Sequence, residues 1–144
     1  MRILTTHAGS LPRAEAVRDL LVGESRGRDI DPQLFEDAVE AATRDVVERQ
    51  LKAGIDIIGD GEQGRESFFS YVQHRMSGFG GRSGRKPMAD MHGYEGYRER
   101  MVAKAHPGPS VNLAAPPRIL GEIRYVNPVP LEGECERFRR LLEA

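Results

Sequence analysis

Apolar and polar positions along the chain fall into short blocks of two kinds. Ile3 to Thr6 is a brief, β-branched run closed by Ala8-Gly9-Ser10-Leu11-Pro12, which predicts a strand followed by a turn. Val17, Leu20 and Leu21 repeat at helical spacing and predict a helix over Ala14 to Val22 that ends near Gly23, with Ser25 to Asp29 as a polar loop. The strongest helical signal follows. Asp31 suits an N-cap and Pro32 the first helical position, where its missing N–H costs nothing. Leu34, Phe35, Ala38, Val39, Ala42, Val46 and Leu51 then trace one apolar face, and Gly54 is placed to stop the helix. Ile55-Asp56-Ile57-Ile58-Gly59 is nearly continuous in apolar character and predicts a buried strand covered on both faces. Strand, helix, helix, strand is a βαβ crossover with one additional helix.

Beyond Arg65 the pattern weakens. Phe68, Phe69, Val72 and Met76 predict a helix over Ser67 to Ser77, and residues 78–110 read as a long irregular loop or insertion, with an isolated helix or hairpin from Tyr94 to Ala105. Arg118-Ile119-Leu120-Gly121 predicts a third strand, which Ile123-Arg124-Tyr125 extends or turns away from. Leu131 to Leu142 predicts a last helix with Phe138, Leu141 and Leu142 inward. No internal repeat or domain boundary interrupts residues 1–144. The fold class is α/β.

Strands joined through helices run parallel, so their C-terminal ends share one edge of the sheet, where α/β proteins place their ligands. The turns Gly9-Ser10 and Asp60-Gly61-Glu62-Gln63-Gly64-Arg65 both lie at that edge. Ser10 and Glu62 are therefore expected to face one pocket, where a hydroxyl and a carboxylate suit a small zwitterion such as an amino acid. Glu62 also fits a plain role as a turn acid, and Ser10 a role as a turn or cap residue.

Composition narrows the classes. The chain has 144 residues, the size of one ordinary domain, with 39% hydrophobic and 30% charged residues and a net charge of −1. That balance speaks against nucleic acid or an anionic membrane as partner. A single cysteine, Cys135, excludes an intrachain disulfide and multi-cysteine zinc motifs. The apolar start is too short for a signal peptide and no window reaches spanning length, so a cytoplasmic location is expected. His7, His74, His92 and His106 lack ligand spacing. Arg75, Arg82, Arg85 and Lys86 could meet a phosphate, but a solvated loop explains them as well. Gly59 to Gly64 satisfies G-x-G-x-x-G, yet Asp60 and Glu62 would set two carboxylates beside a pyrophosphate, so a dinucleotide is not expected.

Thr5-Thr6-His7-Ala8-Gly9-Ser10-Leu11-Pro12-Arg13 and Ala53 through Arg65 together resemble the first and second barrel strands of the cobalamin-independent methionine synthase family, particularly its short single-barrel members. Ser67-Phe68, Tyr71, Gly78-Phe79 and, more weakly, Leu120 to Tyr125 extend the likeness. The resemblance implies a (β/α)8 TIM-type barrel and transfer of a methyl group from 5-methyltetrahydrofolate (polyglutamate) to the thiol of homocysteine, giving methionine. It implies zinc as the metal that binds the thiol, and methyl-folate as co-substrate. It assigns to Gly9, Ser10 and Glu62 the holding of the amino acid's polar end.

The family's zinc ligands are a His-x-Cys pair, a Glu and a distal Cys on later strands, and this sequence has no counterpart of them. A barrel of this type takes about 250 residues. The expectation is therefore a partial barrel, about the first three β/α units, inactive as an isolated chain. Such a piece would be a truncated or split product, completed by a second chain or by homo-oligomerisation. The alternatives are a non-catalytic fragment and a transferase of another alkyl group to a different thiol.

Overall fold

The longest helix organises the rest. In the computed structural model, which describes residues 2–67, 70–81, 93–97, 99–100 and 117–143, α2 spans Pro32–Lys52 and begins as its sequence dictates. The Asp31 side chain accepts the Gln33 N–H at 2.9 Å, and Pro32 occupies the first turn. Its end is closed by two crossed backbone bonds, Gly54 N to Leu51 O at 3.0 Å and Ile55 N to Gln50 O at 3.0 Å. This Schellman arrangement satisfies carbonyls the helix would otherwise leave open. Helix α1, Glu15–Ser25, lies against α2, and Val17, Leu21, Val39 and Ala42 form the core with Phe35 and Ala38 packed on it. Gly23 is buried within α1 rather than ending it. The buried side of α2 is rotated from the predicted stripe: Thr43, Val47 and Gln50 are inside, whereas Leu34 and Leu51 are exposed. Thr43 is accommodated because its hydroxyl donates to the Val39 carbonyl at 2.7 Å.

The two predicted N-terminal strands meet in parallel, as the crossover requires, but only through one bridge, Thr6 to Ile57. Side chains take over the ladder. The Asp56 and Ile57 N–H groups both converge on the Thr5 carbonyl, at 3.1 and 3.0 Å. The Asp56 carboxylate accepts the Thr5 N–H at 2.9 Å, and the Thr6 hydroxyl donates to the Ile57 carbonyl at 2.8 Å. Two donors on one acceptor break the even spacing of a regular ladder. Ile55 to Gly59 is also not buried on both faces: Ile57 is 53% exposed. What fixes this segment is Gln50 of α2, whose side-chain amide donates to the Gly59 carbonyl at 2.7 Å and accepts the Gly59 N–H at 3.1 Å.

The helix predicted over Ser67 to Ser77 is reduced to a 3-10 turn, Tyr71–His74, among the described residues. Ser67 competes with the helical backbone, its hydroxyl accepting the Ser70 N–H at 3.1 Å. The third predicted strand is a different object. Arg118–Ile119 (β2) pairs antiparallel with Phe79–Gly80 (β1), and the chain onward returns along residues 75–78 through Leu120 N to Gly78 O at 2.7 Å and Ser77 N to Arg124 O at 2.9 Å. A return along the same segment is antiparallel, so this pair is no third parallel barrel strand. Residues 79–80 of the predicted long loop are thus strand, and residues 95–97 and 99–100 are helical. The remainder of 78–110 lies outside the described residues, apart from Gly78, Gly81, Gly93 and Tyr94.

Helix α3, Val129–Glu143, covers the predicted last helix. It docks by charge more than by apolar contact. Arg137, 9% exposed, donates to Glu36 of α2 through Nε at 2.8 Å and Nη2 at 2.5 Å. Phe138 and Leu141 are half-buried, and Leu142, expected inward, is exposed. Arg137 holds the Glu36 carboxyl below the usual carboxylate range, with burial opposing it.

Candidate functional site

The parallel bridge sets the two turns side by side. The Leu11 N–H donates to the Gly61 carbonyl at 3.0 Å, so the first turn is tied directly to the second. Gln63 strengthens the tie from beneath. It is fully buried, and its side-chain nitrogen lies 3.4 Å from both the Leu11 and Pro12 carbonyls. Gly9, at φ +85°, and Gly61, at φ +63°, adopt the left-handed backbone that these reversals need and that glycine tolerates. Glu62 takes the same region, at φ +55°, although it carries a side chain. Such strain persists only where surroundings enforce it and concentrates at functional sites. Here the Glu62 N–H is held by Asp60 Oδ1 at 3.0 Å.

The result is the pairing expected from strand direction. The Ser10 hydroxyl donates to Glu62 Oε2 at 2.5 Å. Gly9, Ser10 and Glu62 thus stand together, on turns more than fifty residues apart in sequence. Arg13 flanks the same place. It donates to the Arg65 carbonyl at 2.5 Å, burial pushes its guanidinium pKa down, and the Glu62 charge opposes that shift.

Arg65 connects this corner to α3. Its guanidinium donates to Glu134 through Nε at 3.1 Å and Nη2 at 2.6 Å, while Nη1 stays 3.7 Å from Glu62 Oε1. The hydrogen bonds it donates to Glu134 raise the Arg65 pKa further. Tyr71 also donates its hydroxyl to Glu134, and the guanidinium groups of Arg65 and Arg75 lie over its ring at 5.1 and 4.4 Å from the centre. Burial first, then the Glu134 hydrogen bond, pushes the Tyr71 phenol up to about 12. Arg75 lies over the Tyr71 ring, and Arg82, Arg85 and Lys86 lie outside the described residues. His74, which sequence spacing left without a partner, bonds Glu66 at 3.0 Å beside a cavity lined by Glu24, Phe35, Tyr71 and Pro130.

Gln63, Arg65, Glu134 and Arg137 were not singled out from the sequence. A fully buried amide in a Gly-rich turn leaves no periodic signal. Arg65 and Glu134 are sixty-nine positions apart, and only the docking of α3 brings them together.

Zinc, which the family resemblance implies, does not fit these residues. Among the described residues no group of three or more His, Cys, Asp or Glu could hold a metal ion. Cys135 is exposed on α3. No described helix is long and apolar enough to cross a membrane.

The chain is mixed α/β and gathers a hydroxyl and a carboxylate on two adjoining strand-end turns. Residues 3–99 match the family described as cobalamin-independent synthase, catalytic domain, and the chain belongs to that family. The 5-methyltetrahydropteroyltriglutamate–homocysteine methyltransferase of Shewanella oneidensis is 36% identical over 76 residues, 53% of this chain and 10% of that protein. The protein of the same name from Streptomyces griseus is 29% identical over 126 residues, 87% of this chain and 14% of that protein. A solved structure of a B12-independent methionine synthase from Shewanella sp. W3-18-1, in complex with selenomethionine, superposes with a TM-score of 0.61 at 22% identity, covering 94% of this chain and 34% of that one. That likeness concerns the fold. The chain spans about a tenth to a seventh of the curated relatives it matches.

Proposed function

We propose that this chain supplies the amino-acid-binding part of a methyltransferase that moves a methyl group from 5-methyltetrahydrofolate (polyglutamate) to homocysteine, giving methionine. The observation that carries this reading is the 2.5 Å contact of Ser10 with Glu62 on a strained turn. The hydroxyl proton satisfies one carboxylate oxygen and fixes its orientation. The other oxygen, Oε1, has Arg65 Nη1 3.7 Å away and no hydrogen bond among the described residues, which leaves it for the ammonium of a bound amino acid. Gly9, without a side chain, leaves backbone accessible beside it. These residues bind and orient; activation of the thiol requires groups that the described residues do not supply.

The test is isothermal titration of the purified chain with L-methionine and L-homocysteine, alongside a methyl-transfer assay with zinc and methyl-folate. The reading predicts saturable amino-acid binding and no turnover above background. Absence of binding overturns it, and turnover by the chain alone overturns the incompleteness.

A second reading, a barrel piece that needs further strands from another polypeptide or from a second copy, is favoured by the apolar residues left in water around the bridge, Ile3 at 93% exposure among them. Its signature is a gain in solubility on co-expression with a segment carrying the later barrel strands. Transfer of a different alkyl group to another thiol remains distinguishable by profiling thiol acceptors on the completed assembly.

A further inference from the structure

Among the described residues Arg65 forms the ion-pair contact with Glu62, and that cation is held elsewhere. Arg65 Nη1 stands 3.7 Å from Glu62 Oε1, too far for a hydrogen bond, while Nε and Nη2 are committed to Glu134 at 3.1 and 2.6 Å. Glu134 is itself held from the other side by the Tyr71 hydroxyl, and its side chain is 11% exposed. Two carboxylates therefore compete for one guanidinium, and the one on α3 holds it. A guanidinium released from Glu134 already has Nη1 3.7 Å from Glu62 Oε1 and would be free to close a direct hydrogen bond to that oxygen. Glu62 would then be neutralised internally, and a ligand ammonium would have to displace Arg65 to bind.

We propose that Glu134 is a positioning residue for the amino-acid site: it retains Arg65, a competing cation, and so keeps the Glu62 carboxylate open to a ligand's ammonium group. The inference rests on the reading of Glu62 as an ammonium acceptor, and it adds that α3, distant in sequence, sets the affinity of that site. Tyr71 contributes by fixing Glu134 in the orientation that captures the guanidinium. Arg75 also lies over the Tyr71 ring, 4.4 Å from its centre.

The experiment compares the full chain with Glu134→Gln, Arg65→Gln and the double variant, titrated with L-methionine and with 4-(methylthio)butanoate, the same molecule without its amino group. Glu134→Gln is expected to weaken L-methionine binding about tenfold and to leave the deaminated ligand within about twofold. Adding Arg65→Gln to Glu134→Gln is expected to restore L-methionine binding to within about threefold of the parent. A purely structural role for Glu134 predicts equal losses for both ligands and no restoration, and that result overturns the proposal. A crystal structure of Glu134→Gln gives the readout without ligand. Arg65 within hydrogen-bonding distance of Glu62 supports the proposal, and Arg65 unmoved overturns it. Failure of the parent chain to bind L-methionine at all would instead refute the amino-acid reading of the site.

Discussion

Ser10 donates its hydroxyl proton to Glu62 across two turns that adjoin only because their strands run the same way. That bond orients a carboxylate whose backbone is already strained, so two costs converge on one residue. Neither is needed for a solvated turn.

Glu62→Gln is expected to weaken L-methionine binding by about 2 kcal/mol, roughly thirtyfold, because a charged acceptor becomes a neutral one. Ser10→Ala, which frees the carboxylate without discharging it, should cost about threefold. Calorimetric titration reads both, and circular dichroism melts should show the fold retained. Equal affinity in Glu62→Gln would remove Glu62 from the ligand site.

Gln50 replaces missing ladder bonds with its two-point amide contact to Gly59. Gln50→Leu leaves a backbone N–H and a carbonyl without their partner, and is expected to destabilise the chain by about 2–3 kcal/mol. Urea denaturation measures this. A loss below about 0.5 kcal/mol would show that water replaces the amide and that α2 does not anchor the second turn.

Arg137 docks α3 to Glu36. Arg137→Met retains the apolar stem and removes two charge-assisted hydrogen bonds, with an expected loss of roughly 1–3 kcal/mol. Hydrogen exchange should show α3 opening more readily than α2. Undiminished protection of α3 would transfer its docking to Phe138 and Leu141.

The His74–Glu66 pair predicts a pH window. The Glu66 hydrogen bond raises the His74 pKa from 6.5, burial opposing it, and the His74 hydrogen bond lowers that of Glu66 from 4.5 against its burial. A raised histidine stabilises the fold fully below 6.5 and loses that contribution as pH rises through its folded value; a lowered carboxyl stabilises above 4.5 and loses it as pH falls. The melting temperature of the parent should therefore exceed that of His74→Gln most between about pH 5 and 6, with the gap closing as pH rises through the raised folded value of His74. A gap independent of pH would mean the pair acts through packing alone. Because His74 is half exposed, the effect is small and sensitive to salt.

Local chemistry made much of the frame legible. Asp31-Pro32 marked the start of α2 and Gly54 its end, and strand direction alone placed Ser10 beside Glu62. Strand extent was harder to read. Thr5, Thr6 and Asp56 have side chains that can bond backbone, and apolar patterning carries no record of that competition. Arg118–Ile119 looked like a parallel strand because a short apolar run is the same in either direction; pairing with Phe79–Gly80 depended on a partner far away in sequence. On the last helix the inner face belongs to Arg137, while Leu142 lies in water. Long-range ion pairs such as Arg137–Glu36 and Arg65–Glu134 have no local signature at all.

The seam between Thr6 and Ile57 is one rung wide, and Ile3, Leu4 and Ile57 beside it are open to water. A seam of that kind behaves as a sticky template, since any extended peptide that lies along it gains both backbone bonds and shelter for those side chains. Handling of the purified polypeptide should accordingly depend on concentration, and a short extended peptide with alternating apolar residues should act on it as a solubiliser.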